Sequence, residues 1–229
     1  MNEPDHLAAV LTKAEADGAQ PAELAALGRR LRQLGEREAG LLPGEVLEPI
    51  PDLPSLDELP EPPPDQAREV LDQLVVVKLN GGLGTSMGLS GPKSLIEVKP
   101  GRSFLDVIAT QVLALRQRYG ARLPLVLMDS GVTRDPSLDA LRRYEDLSVP
   151  GVPLDFLQGR EPKIRADDLQ PVQWPADPTL EWCPPGHGDI YTALAASGTL
   201  DALLGAGLRY AFVSNSDNLG ALADVRIAA

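Results

Sequence analysis

A strand with two apolar faces that runs straight into a five-glycine loop limits the folds open to this chain. Leu74-Val75-Val76-Val77 has no polar face, which is the pattern of a strand buried within a parallel sheet. The segment that follows is Leu79-Asn80-Gly81-Gly82-Leu83-Gly84-Thr85-Ser86-Met87-Gly88-Leu89-Ser90-Gly91-Pro92-Lys93-Ser94. Glycine at this density lets the backbone turn tightly and approach a ligand closely. Successive backbone N–H groups in such a turn form an anion-binding concavity. Lys93, at the end of the loop, adds a positive charge, and the whole suits a nucleotide triphosphate. The dinucleotide pattern G-x-G-x-x-G fails, because its third glycine falls on Met87. The Walker A pattern fails as well, since Pro92 separates Gly91 from Lys93. A floppy, ligand-free surface loop is the plain alternative, but such a loop has little use for so many glycines just behind a core strand.

The rest of the chain supports an α/β reading. Leu125-Val126-Leu127-Met128 and Tyr210-Ala211-Phe212-Val213 are two further runs expected to be buried strands, and 154–158 is a short one. Between them lie helical patterns. Phe104, Ile108, Val112, Leu115 and Tyr119 mark one face, with Ser103 and Asp106 as a capping box and Gly120 as a stop. Asp135-Pro136 opens another helix, 190–197 a third, and 201–204 a short fourth. Strands alternating with helices predict a Rossmann-like, mostly parallel sheet covered on both faces, with ligands outside the carboxyl ends of its strands. Residues 66–229 are the expected extent of this part.

Two segments precede it. Residues 1–40 read as a helical extension, with stripes Leu7, Val10, Leu11, Ala14 and Leu24, Leu27, Leu31, Leu34 separated by Gly18 and Pro21. Residues 41–65 are dense in proline and acid, which forbids regular structure and predicts a linker or a surface strap. Forty-three per cent of the 229 residues are hydrophobic but only 4% aromatic, so the core must be aliphatic. A formal charge of -12 makes nucleic acid a poor partner, since its binding rests on cationic contacts to phosphates. With one cysteine, Cys183, no internal disulfide can form. The start of the chain does not read as a signal peptide, and no apolar run approaches the ~20 residues that span a bilayer. The expectation is a soluble, cytoplasmic protein without a membrane partner; its oligomeric state is not legible.

Two more blocks carry polar chemistry. Trp182-Cys183-Pro184-Pro185-Gly186-His187-Gly188-Asp189-Ile190-Tyr191 is a tight Pro/Gly loop opening a helix. Alone, His187 between two glycines reads more readily as a turn histidine than as a ligand. Phe212-Val213-Ser214-Asn215-Ser216-Asp217-Asn218-Leu219-Gly220 is a strand that ends in short polar residues. Asp217 can hold Mg²⁺, a hard cation that shares oxygen ligands with phosphates, and a plain Asx turn explains the block equally well when it is taken alone.

Together, Lys78 to Gly88, Gly91-Pro92-Lys93-Ser94 and the 182–191 block resemble the signatures of eukaryotic-type UTP–glucose-1-phosphate uridylyltransferases. The resemblance covers roughly 41–229, most firmly from Val75 onward. It implies a nucleotidyltransferase fold of glycosyltransferase-A type. The implied reaction transfers UMP from UTP to glucose 1-phosphate, giving UDP-glucose and pyrophosphate, with Mg²⁺ as cofactor and a place in carbohydrate metabolism. The implied nucleotide contacts are Leu79, Asn80, Gly81, Gly82, Gly84, Thr85, Lys93, Gln158, Gly186 and Asp217. The implied sugar-phosphate contacts are Gly81, Gly82, His187, Asn215, Ser216 and Asp217. Lys93 takes the catalytic role and Asp217 the metal. Gln158, after the 154–158 strand, takes the uracil contact. Relatives that act on N-acetylhexosamine phosphates usually have arginine after the threonine, so Ser86 favours the glucose branch. Family members continue well past the length of this chain. It is therefore expected to be a fragment with most of a UTP site and an incomplete active site; a non-catalytic nucleotide or nucleotide-sugar binding module is the alternative.

Overall fold

The computed structural model describes residues 3–36, 40–84, 88 and 91–229. The expected Thr85 contact, the discriminating Ser86, and Met87, Leu89 and Ser90 lie outside the described residues. In chain order the helices α1 (Glu3–Ala16), α2 (Pro21–Gly35) and α3 (Pro64–Asp72) lead into strand β1 (Leu74–Leu79). Then come β2 (Glu97–Lys99), β3 (Arg102–Ser103), α4 (Phe104–Tyr119), β4 (Leu125–Asp129) and α5 (Arg134–Leu141). The short strands β5 (Asp155–Leu157), β6 (Glu161–Pro162) and β7 (Trp182–Cys183) follow, and α6 (Ile190–Ala196), α7 (Thr199–Gly205), β8 (Tyr210–Asn215) and α8 (Val225–Ala228) close the chain.

The chain divides into two compact units. One comprises 54–158 and 197–229 and is built on a sheet of order β5-β4-β1-β8. All three pairings are parallel, with Val76 opposite Leu125 and Phe212, and Leu127 opposite Asp155. Because side chains alternate across a strand, Leu74 and Val76 join Leu125 and Leu127 on one face. There they form a core with Ala67 and Leu71 of α3, Leu105, Ile108, Ala109 and Val112 of α4, and Leu141 of α5. Val75, Val77, Val126 and Met128 are buried on the other face. This is the doubly buried parallel sheet expected from the apolar runs.

Local chemistry sets the helix ends. Ser103 Oγ accepts from the Asp106 amide at 3.2 Å, while Asp106 Oδ2 accepts from the Ser103 amide at 2.8 Å. Gly120 ends α4 in the left-handed conformation, φ 63°, which costs glycine little. Helix α3 falls partly within the segment read as a Pro-rich strap. Pro64 stands at its first turn, where no amide is needed, so the prolines end by opening a helix.

One expectation is corrected. The apolar run Tyr210–Val213 was expected to be buried on both faces, but β8 is an edge strand, with Tyr210 57% and Val213 42% exposed. Apolarity states what a strand can be packed against, not which neighbours it has.

The other unit comprises 1–53 and 159–196. Helices α1 and α2 form a hairpin around Val10, Ala14, Leu27 and Leu31, although Leu34 of the second stripe is exposed. The hairpin is not a separate appendage. Lys13 pairs with Glu181 and Arg30 with Glu161, and Arg160 holds Asp17 at 2.6 Å. The Arg160 guanidinium also stacks 4.8 Å from the Trp182 ring centroid. These ties bind the hairpin to the segment that bears the β6-β7 ribbon, so the compact units do not follow the composition-based division.

Candidate functional site

The carboxyl end of the parallel sheet gathers the polar ends of four strands. The Asn80 amide donates to the Met128 carbonyl at 2.7 Å, the Gln158 amide to Asp129 at 2.7 Å, and the Ser216 amide to Leu79 at 3.1 Å. These bonds extend the ladders one residue beyond the strands and bring the start of the glycine loop, Gln158 and the 215–217 turn to one edge.

The glycine loop folds back on itself. The Gly84 amide donates to the Gly91 carbonyl and the Lys93 amide to the Gly82 carbonyl, both at 3.1 Å. Lys93 thereby lies over the loop it follows, its Cδ 3.8 Å from where a Cβ on Gly82 would sit. Its ammonium is 3.9 Å from Asp217 Oδ2, and both side chains are only partly covered. A cation and a carboxylate, over a hundred residues apart in sequence, thus face each other at the edge where the loop amides turn.

Gln158 lies across Gly81. A Cβ built on Gly81 would come within 2.3 Å of Gln158 Oε1 and 2.8 Å of its Nε2. Glycine is required here for close approach, and the two residues named separately from sequence are neighbours.

Asn80 is turned inward. It is 1% exposed, and its Nδ2 donates to Asp129 Oδ1 at 2.6 Å and to Ser137 Oγ at 2.8 Å. Thr133 Oγ1 adds a second donor to Asp129 Oδ1, at 3.0 Å. The side chain of Asn80 therefore holds the root of the loop, and only its backbone faces the edge chemistry. Burial pushes the Asp129 carboxyl up to about 6, assisted by the Asp155 charge and opposed by the bonds from Asn80 and Thr133 and by Arg134. Asp129 Oδ2 and Asn80 Oδ1 are buried without a hydrogen-bond partner among the described residues. Sequence reading missed this cluster. A carboxylate closing the apolar run Leu125–Met128 was the available signal.

Asn215 and Asp217 are exposed at the end of β8, whereas Ser216 is buried. Gly186 and His187 belong to the unit of 1–53 and 159–196. There Gly186 has φ 100°, a conformation that favours glycine, and His187 is exposed in a single 3-10 turn. Asp189, which the sequence reading did not single out, is 4% exposed and accepts from the Gly159 amide at 2.6 Å, fixing the turn that carries His187. Cys183 is half-buried, its Sγ 3.7 Å from the Glu161 carbonyl.

A parallel sheet with a glycine-rich loop, a lysine and a carboxylate collected at its carboxyl edge is the ligand-end arrangement of α/β proteins that grip anionic groups. The chain belongs to the UTP–glucose-1-phosphate uridylyltransferase family, whose model matches residues 38–229. The potato UTP–glucose-1-phosphate uridylyltransferase is 44% identical over 184 residues, 80% of this chain and 37% of its own length. The barley protein of the same name is 45% identical, covering 72% of this chain and 36% of its own. In structure the chain matches a mutant UDP-glucose pyrophosphorylase from Leishmania major in complex with UDP-glucose. The TM-score is 0.88 and the identity 42%, over 98% of this chain and 46% of that one. The Trypanosoma brucei protein described as a UDP-glucose phosphorylase matches with TM-score 0.81 and 43% identity. The chain thus spans less than half the length of these relatives.

Proposed function

We propose that this chain carries the uridine-nucleotide site of an enzyme that transfers UMP from UTP to glucose 1-phosphate, giving UDP-glucose and pyrophosphate. The observation that carries it is the joint placement of the folded-back glycine loop, Lys93 beside Asp217, and Gln158 across Gly81. These are the groups needed to hold a pyrimidine nucleotide by its base and its phosphates. The names of the relatives supply the substrates.

In this reaction a sugar-phosphate oxygen attacks the α-phosphorus of UTP in line, and both reactants are anionic. Positioning and charge stabilisation therefore dominate, and no nucleophilic side chain is called for. Loop amides from Gly81 to Gly84 cradle phosphate. Lys93 neutralises charge that develops at the phosphorus. Gln158 has an amide nitrogen that donates and an oxygen that accepts, which suits the edge of uracil. Asn215 and Ser216 take the sugar phosphate. Asp217, half-exposed, has the hard oxygen donors that Mg²⁺ prefers. That ion is commonly held by one or two carboxylates together with substrate phosphates, which fits a lone aspartate here. When bound, Mg²⁺ supplies charge neutralisation of the triphosphate. The proposed setting is cytoplasmic carbohydrate metabolism; no described helix is long and apolar enough to cross a membrane. The unit of 54–158 and 197–229 bears the glycine loop, Lys93, Gln158 and Asp217.

Calorimetry of UTP with Mg²⁺ on wild type and Lys93→Ala, with ATP as comparison, tests the assignment. Selective UTP binding that weakens at least tenfold in Lys93→Ala is expected. Equal affinity for ATP, or an unchanged Lys93→Ala, refutes it. Turnover of glucose 1-phosphate on the same sample separates an enzyme from a binding module.

A further inference from the structure

The mechanism leaves unused the one lysine or arginine that is buried among the described residues. Lys78 sits in the central strand β1, flanked by Val77 and Leu79, and is only 2% exposed. Its surroundings are Val76, Ile108, Val112, Leu115, Phe212 and Leu222, with Gln111 the polar exception. Among the described residues no titratable group of α4, β8 or the 221–223 segment lines the space beside it, and it forms no ion pair. Burial lowers its ammonium to about 8. An ionised amine in such a place costs the fold stability unless something else requires it.

Its hydrogen bonds indicate what requires it. The ammonium donates to Ser214 Oγ at 2.7 Å and to the Ala221 carbonyl at 3.2 Å, and lies 5.7 Å from the centroid of the Phe212 ring. Ser214 and Ala221 are the two ends of the segment that bears Asn215, Ser216 and Asp217. Between them the Ser216 amide bonds to the Leu79 carbonyl of β1 at 3.1 Å, and the other bonds are local: Asn218 amide to Asn215 carbonyl at 3.3 Å, Gly220 amide to Asn218 Oδ1 at 3.1 Å, and Ala221 amide to Asn218 carbonyl at 3.4 Å. Charge-assisted bonds are about twice as strong as neutral ones, and the ammonium bonds both ends of this turn at its base.

We propose that Lys78 is a positioning residue. It clamps both ends of the 215–220 turn and so sets Asp217 against Lys93 at the sheet edge. The proposal rests on the assignment of Asp217 to the phosphate and metal end of the site. It separates Lys78 from an ordinary core residue, because its contribution is to the order of one turn and not to the stability of the sheet.

The test uses the 229-residue chain with Lys78→Met, which keeps the stem and removes the charge, and Ser214→Ala, which removes one acceptor and leaves the lysine. Amide hydrogen exchange is read at Ser216, Asn218, Gly220 and Ala221, with Val126 and Leu127 as sheet controls. UTP affinity is measured with Mg²⁺ and with EDTA. In Lys78→Met the turn amides should exchange at least tenfold faster, with the controls as slow as in wild type or slower. The Mg²⁺-to-EDTA affinity ratio should fall about tenfold. Ser214→Ala should show both changes in the same direction at smaller size, and decides the matter if Lys78→Met does not fold. Unchanged turn exchange in these variants, or acceleration shared equally by the controls, overturns the clamp. Failure of wild type to bind UTP would refute the nucleotide assignment instead, while the exchange data would still judge the clamp.

Discussion

Replacing Asp129 by asparagine changes one atom in the buried cluster at the root of the glycine loop, and its effect on stability can be worked from the structure. The Asp129 carboxyl is fully buried and titrates at about 6 in place of 3.8, so the folded state holds its proton more tightly than the unfolded chain does. The sign follows from linkage. Its contribution to stability is fully present below pH 3.8 and is lost as pH rises through about 6. A shift of this size is worth about 3 kcal/mol at pH 7 and about half of that at pH 5. Asparagine carries no charge at either pH. Its Oδ1 can keep accepting from Asn80 and Thr133, and its uncharged Nδ2 would replace the unpartnered Asp129 Oδ2. The variant should therefore exceed wild type by roughly 1–3 kcal/mol at pH 7, and the gain should shrink towards pH 4. At roughly 2–4 °C per kcal/mol for a chain of this size, that is a rise of several degrees in Tm at pH 7. Urea unfolding of both proteins, followed by circular dichroism from pH 4 to pH 8, measures it. A difference that does not change with pH, or a variant less stable at pH 7 than at pH 5 relative to wild type, would refute the account of a strained, buried carboxylate.

Two further outcomes are accessible to simple variants. Gly81→Ala should leave stability within about 1 kcal/mol, because the flexible end of Gln158 can move aside, yet weaken UTP binding as that side chain leaves the edge; an unchanged affinity by calorimetry would remove Gln158 from the site. Ser103→Ala removes the capping hydroxyl of α4 and should cost about 1 kcal/mol in urea unfolding with UTP affinity untouched, so a change in affinity would mean the cap is linked to the site.

The parts of this molecule legible in the sequence are those fixed by neighbours along the chain. The apolar run before the glycine loop, the Ser103–Asp106 box and the Gly120 stop are local patterns, and each takes the expected form. Gly81 and Gln158 were named separately, and the parallel pairing of β4 with β5 brings them together. What the sequence concealed is carried by contacts between distant positions. Lys78 meets Ser214 across 136 residues, Asn80 meets Asp129 across 49, and Lys13 meets Glu181 across 168. No periodicity encodes such pairs. Lys78 reads as one polar letter in an apolar strand, and the anchoring of the Asn80 side chain stays hidden, until the partners are in view. The edge position of β8 was hidden for a related reason: strand order depends on the whole sheet, and Tyr210–Val213 is equally apolar wherever it stands.

That edge has a consequence for how the chain behaves in a tube. Beside Tyr210–Asn215, on the side away from β1, runs a row of backbone donors and acceptors with no ladder partner among the described residues, flanked by exposed Tyr210 and Val213 and broken by neither proline nor charge. Such a margin is a template on which another extended strand can be added. Concentrated samples of the 229-residue chain should accordingly self-associate through this margin, with sedimentation that depends on concentration. A lysine at Val213 should suppress that association without touching the glycine loop.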